Sequence, residues 1–157
     1  MTVLLDKIDI VILKALLDDG RASYSAVAKN TNLTDVAVKK RVESLKRKGV
    51  IASITANLNY SAIGFEKPLF IQLRTDLSKS KDVFKKLETL ENIIEIHQVL
   101  GEYNLLLKVV LPSLSAVEPF LARLSAVDGI QDMKSLVVVS QLKQSNSLPS
   151  SLAQKKF

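Results

Sequence analysis

Six cationic side chains, Lys39, Lys40, Arg41, Lys46, Arg47 and Lys48, lie close together in the stretch LTDVAVKKRVESLKRKGVI, and Glu43 is the only acid between Lys39 and Lys48. The chemistry open to such a set is recognition of a polyanion, in which ammonium and guanidinium groups meet phosphate oxygens or the acceptor edges of bases. Sequence preference further requires a rigid element to hold them. The spacing supplies one: Val38, Val42 and Leu45 recur at intervals of four and three and predict one apolar stripe of a helix. Thr34 is placed to cap its first free N–H groups, Asp35 adds a first-turn acid, and Gly49 suits a left-handed stop. A merely solvated lysine-rich face would carry the same charges, so the neighbouring elements decide.

Upstream, Ile8, Val11, Ile12, Ala15 and Leu16 repeat with helical spacing and predict a first helix that ends near Asp18, Asp19 and Gly20. A second, short helix is expected over residues 23–29, with Ser23 as its cap and Val27 inside. Asn30, Thr31 and Asn32 should then break the chain. Two short helices around a tight polar turn, the second basic and amphipathic, predict a helix-turn-helix whose second helix enters the major groove of double-stranded DNA. In that arrangement Asp35, Val36, Lys39 and Lys40 face base edges, while Ser23, Tyr24, Thr34, Arg41 and Lys46 steady phosphates.

Residues 52–65 (ASITANLNYSAIGF) predict a wing or linker strand. Beyond them the pattern changes to strand over 68–75, helix over 79–90 burying Val83, Phe84, Leu87 and Leu90, strands over 93–100 and 103–111, helix from a Ser115/Glu118 capping box, and a last strand over 136–142. The order βαββαβ is the ferredoxin-like split arrangement, giving an α+β protein with a winged helix-turn-helix in front. Its boundaries are expected at 1–51 for DNA binding, 52–65 for the wing, 66–143 for the second domain and 144–157 for a tail. Apolar runs such as LLLKVVL and SLVVVSQL call for a second cover on the sheet, and a second copy of the chain would supply it as a homodimer.

The string from Leu5 to Ile51 resembles the amino-terminal signature of the Lrp/AsnC, or feast/famine, family of transcription regulators. Its points of likeness are Leu5-Asp6, Asp9, Asp19-Gly20-Arg21, Leu33-Thr34, Arg41-Val42, Leu45 and Gly49-Val50-Ile51. The likeness continues to the carboxy-terminal end. It implies a sensing domain that pairs into dimers and often octamers, and a free amino acid bound between dimers. The turn Gly101, Glu102, Tyr103, Asn104 would help to hold that effector, with Met133 and Ser135 at a second family position. Asn104 stands where the family more often has aspartate, and Met133 lacks the hydroxyl that Ser135 keeps.

Composition agrees. The 157 residues carry a net charge of +6 and are 47% hydrophobic, enough for cores and favourable to a polyanionic partner. Cysteine is absent, which fits a reducing cytoplasm, and no signal peptide or membrane span is visible. His97 is the single histidine, with Glu95 two residues away, and makes no metal site by itself. No nucleophile motif or phosphate-binding glycine loop appears, so no catalytic residues, metal or cofactor are expected. Two rival readings stay open. Siroheme decarboxylases resemble the same family in both domains, but their chemistry needs histidine and basic residues around a large anionic ligand, and this chain offers only His97. An architectural protein coating DNA with neither sequence choice nor effector would also use the basic helix.

Overall fold

The computed structural model describes residues 3–66, 68–145 and 147–149. These residues divide into two units, one holding those up to Asn57 together with those described from Lys143 to 149, the other those within Leu58–Leu142.

The first unit is three helices, α1 (Lys7–Asp18), α2 (Tyr24–Thr31) and α3 (Asp35–Arg47). Each starts on a side-chain cap. Asp6 and Asp9 form a reciprocal capping box on α1, while the Ser23 and Thr34 hydroxyls accept from the Ala26 and Ala37 N–H groups. Helix α2 runs on through Asn30 and Thr31, where a break was expected. The Thr31 hydroxyl bonds back to the Val27 carbonyl at 2.9 Å, and the turn is made instead by Asn32 in the left-handed region at φ 53°. The core gathers Leu5, Ile10, Ile12, Leu13, Val27, Ala28, Val38, Val42 and Leu45. Of the stripe expected for α1 only Ile12 is fully buried, and Val11 is exposed. Helix α1 is apolar on most of its circumference, so its spacing leaves the rotational phase open until α2 and α3 pack against it. Leu148 also packs against this core, so the described end of the tail belongs to the first unit.

Residues 52–59 form no strand, and a short 3₁₀ turn follows at Tyr60–Ile63. The expected wing therefore does not form within the chain. A strand needs a neighbour to take its N–H and C=O groups, and the first unit contains no strand among the described residues.

The second unit is a four-stranded antiparallel sheet in the order β2-β3-β1-β4, with β1 Leu69–Thr75, β2 Ile93–Gln98, β3 Leu105–Val109 and β4 Ile130–Leu136. Helices α4 (Ser80–Glu88) and α5 (Val117–Ser125) supply Val83, Leu87, Phe120 and Leu124 to a core with Leu69, Ile71, Leu73, Leu107 and Val109. Phe84 instead stays largely exposed. The opposite face is mixed rather than apolar. It carries Phe70, Gln72, Arg74, Leu106 and Lys108, which alternate with the buried set, and their cross-strand partners Glu95, His97, Asp132, Lys134 and Leu136.

Two sequence expectations are corrected here. The last strand occupies Ile130–Leu136 rather than 136–142, because it pairs with β1 from Thr75 back to Phe70, and beyond Leu136 only Leu69 of β1 is left. The Ser115/Glu118 capping box is absent: a 3₁₀ turn at Leu114–Ala116 delays α5, and the Ser115 hydroxyl meets that of Ser113 at 2.7 Å.

Candidate functional site

Helix α3 buries Val38, Val42 and Leu45, each at most 2% exposed, which fixes its rotation. At 100° per residue, Val36, Lys40, Glu43 and Arg47 then form the row opposite the core, at spacings of four, three and four, and all four are exposed. Lys39 and Lys46 lie on one flank of this row with Asp35. Val36 is 63% exposed, an apolar group held out toward solvent at the start of the helix. Ser23 and Thr34 are spent as caps, with Tyr24 half-buried at the start of α2.

Arg41 is placed differently from the expectation that it steadies a phosphate. Its Nη1 donates to Asp6 Oδ2 at 2.6 Å and to Asp9 Oδ1 at 2.8 Å, tying α3 to the capping box of α1. Both charges of the capping box are thereby answered by one guanidinium. The hydrogen bonds that Arg41 donates to Asp6 and then to Asp9 raise its pKa. Burial pushes the Asp6 carboxyl up, but the Asp9 N–H and Arg41 outweigh it and hold that carboxyl below the usual range. Asp6 is therefore stabilising above about pH 4, and its contribution is lost as pH falls through its lowered folded value. Arg41→Ala should cost the first unit about 1 kcal/mol near neutrality, since the groups are partly solvated. Denaturant titrations of wild type and variant should show that gap closing below about pH 4; a gap independent of pH would contradict the ion triad.

The turn between β2 and β3 splits its side chains. Asn104 Oδ1 accepts from the Thr75 N–H at 2.9 Å and the Thr75 hydroxyl at 3.1 Å, while its Nδ2 donates to the Thr75 carbonyl at 3.1 Å. This explains why Thr75 is buried at 5% exposure. Asn104 is accordingly a structural tie between the start of β3 and the end of β1. Its replacement by alanine should destabilise the second unit by about 2 kcal/mol, because buried Thr75 groups lose their partners. A urea midpoint unchanged from wild type would argue against the tie.

Tyr103 and Glu102 turn the other way. The Tyr103 hydroxyl donates to Asp132 Oδ2 at 2.7 Å and Lys134 Nζ sits 4.4 Å from its ring centroid, while Arg74 reaches Glu102 at 3.6 Å and Asp132 at 3.9 Å. The Tyr103 hydroxyl, then the Met133 N–H, hold the Asp132 carboxyl below its ordinary range. Arg74 is the least committed charge of this group, with long ion-pair distances and a buried Nε that has no hydrogen-bond partner among the described residues. Met133 and Ser135 do not join the cluster. They lie opposite Leu73 and Ile71 on the helix-facing side of the sheet, where Met133 packs against the core. Asp132, Lys134 and Arg74 are not singled out by sequence motifs. The alternation of Asp132 and Lys134 marks them only once the last strand is placed at Ile130–Leu136.

His97 Nε2 lies 3.0 Å from Glu95 Oε2, and Lys108 takes the other oxygen of Glu95 at 2.7 Å. No helix among the described residues is long and apolar enough to cross a membrane.

Residues 5–46 match the AsnC-type helix-turn-helix domain and residues 69–148 the Lrp/AsnC ligand binding domain. The leucine-responsive regulatory protein of Escherichia coli K12 is 35% identical over 149 residues, 92% of this chain and 90% of that protein. Among solved structures, E. coli AsnC superposes with a TM-score of 0.86 at 26% identity, covering 94% of this chain and 100% of that one. The feast or famine regulatory protein of M. tuberculosis, complexed with L-methionine, does so with a TM-score of 0.83 at 28% identity, covering 92% and 99%. With both domain models matched in order and such relatives spanning nearly its whole length, the chain belongs to the Lrp/AsnC family of transcriptional regulators.

Proposed function

We propose that this protein is a sequence-specific DNA-binding transcriptional regulator, acting as a homodimer and modulated by a small amino acid. The observation that carries it is the outward row of α3, Val36, Lys40, Glu43 and Arg47, held in phase by three buried residues behind a capped helix-turn-helix. Such a row offers base contacts at its centre and phosphate contacts from Lys39 and Lys46 on its flank. One helix-turn-helix covers one half-site, so a two-fold pair is the form that reads an operator, and the mixed face of the sheet, with Phe70, Leu106 and Leu136 among its charges, is the surface proposed for pairing. Assembly of dimers toward an octamer is a further step of the same proposal. A regulator of this kind works where the DNA is, in the cytoplasm.

For the effector, the turn at Gly101–Asn104 supports an amino acid because Glu102 and Asp132 stand beside Arg74 and Lys134 around the Tyr103 ring. A zwitterion needs one partner of each sign, and Arg74 is the cation with most to gain from a carboxylate. The test is selection of bound fragments from the source genome with and without a panel of amino acids. Enrichment of discrete sites, changed by one amino acid, is expected. A footprint spread evenly over unrelated DNA and indifferent to every amino acid would favour an architectural coat instead.

A further inference from the structure

Glu43 is the anomaly of the DNA-facing row. It is exposed, it makes no ion pair or hydrogen bond among the described residues, and it sits three or four positions from Lys39, Lys40, Lys46 and Arg47 without pairing to any of them. A carboxylate on a surface that approaches phosphates is repelled unless it finds a donor there. The phosphate backbone offers none, since its oxygens only accept. In the major groove the donors are the exocyclic amino groups of cytosine and adenine. Adenine sets its N7 acceptor beside its N6 amino group, so an acceptor-only carboxylate meets repulsion with the attraction. Cytosine presents its N4 amino group with no acceptor of its own at that edge.

Along the helix axis Glu43 lies inside the row, one turn after Lys40 and one turn before Arg47. Those neighbours suit the acceptor-rich partner strand, where the O6 and N7 of a guanine take a cationic donor. We infer that Glu43 is a base-reading residue that accepts from the N4 amino group of a cytosine, with Lys40 or Arg47 donating to an adjacent guanine, so that each half-site contains a fixed C·G pair under the middle of α3. The bland role for a carboxylate here would be an intrahelical partner to a lysine, and the geometry gives it none. This inference rests on the proposed DNA-reading role of α3 and adds the identity of one base pair.

The test selects binding sites from randomised duplexes with the full-length wild type, Glu43→Gln and Glu43→Ala. Wild type should prefer C·G at one position of each half-site by about five-fold or more. Glu43→Gln, which both accepts and donates, should move that preference toward A·T. Glu43→Ala should flatten it while binding unrelated duplex more tightly, because a negative charge near phosphates is gone. Placing N4-methylcytosine at the selected position should weaken wild type and leave Glu43→Ala unaffected. Identical preferences in all three proteins, with only a uniform change in affinity, would overturn the inference while leaving DNA recognition standing. A wild type that selects no sequence would overturn the proposed function and this inference together.

Discussion

Replacing Lys40 with alanine should lower affinity for the operator about ten-fold and relax selection at one base position, whereas Lys39→Ala should weaken binding to all duplexes alike and reduce the slope of log affinity against log salt by about 0.9. The two residues are adjacent in sequence and carry the same charge. What separates them is helical phase: Lys40 stands in the row directly opposite Val38, Val42 and Leu45, and Lys39 stands a quarter-turn or more to its side. A central side chain reaches the floor of a groove, and a flanking one reaches its wall of phosphates. Arg41 provides the control. With its guanidinium 2.6 Å from Asp6 and 2.8 Å from Asp9, Arg41→Ala should leave the salt slope almost unchanged and show its effect in stability instead. Binding isotherms over a salt series for the three single variants would decide the matter. A slope lowered equally by all three would mean that α3 is a diffuse cationic surface without an assigned reading row.

Much of this arrangement is legible in the amino-acid sequence. The polar caps Ser23 and Thr34, the apolar triplet of α3 and the glycine after it are local signals that survive into the structure, because each acts within a few residues, whereas the local Ser115/Glu118 signal is lost to a bond between Ser115 and Ser113. The same holds for β1, where the alternation is clean, and for Val83 and Leu87 of α4, though not for Phe84. Legibility fails where the deciding partner is distant. The cations of α3 look equivalent until Asp6 and Asp9, more than thirty positions earlier, claim Arg41. The run of valines at 137–139 reads as a strand by propensity, but a strand ends where its ladder ends, and the pairing of β1 with β4 stops at Phe70. The polar segment Ile130–Leu136 looks unlike a strand because it lies at the sheet edge, with Asp132 and Lys134 on the face away from the helices. Asn104 shows the same limit in the turn between β2 and β3. Its type suggests a ligand contact, and its three hydrogen bonds to Thr75 make it a tie within the sheet.

Gly129→Ala should be the most damaging single-methyl change in the sensing domain, lowering its stability by about 2–4 kcal/mol and its melting temperature by roughly 10–20 °C. Gly129 adopts φ +97°, a backbone region that an L side chain rarely enters, and an added Cβ would stand 2.8 Å from Val83 Cγ2 and 3.0 Å from Lys79 Cβ. The Lys79 stem is part of an exposed side chain, but Val83 is 0% exposed in the core, so the methyl has nowhere to go without moving α4. The backbone is held as well, because the Asp76 N–H donates to the Gly129 carbonyl at 2.8 Å and anchors the entrance of α4 to the start of β4. Gly49 separates the two contributions: at φ +72° with nothing within 4 Å of where a methyl group would stand, Gly49→Ala should cost about 1 kcal/mol from conformation alone. The excess at Gly129 is then the steric part, and it should shrink in a Gly129→Ala, Val83→Ala double variant, which would be less destabilised than the sum of its single changes. Additive losses in that cycle would mean that strain in the backbone, and no contact with α4, makes glycine necessary there. Because Gly129 directly precedes the strand that carries Asp132 and Lys134, a displaced α4 entrance should also weaken the response to effector before the domain unfolds, measurable as a reduced ligand-induced thermal shift under conditions where the variant is still folded.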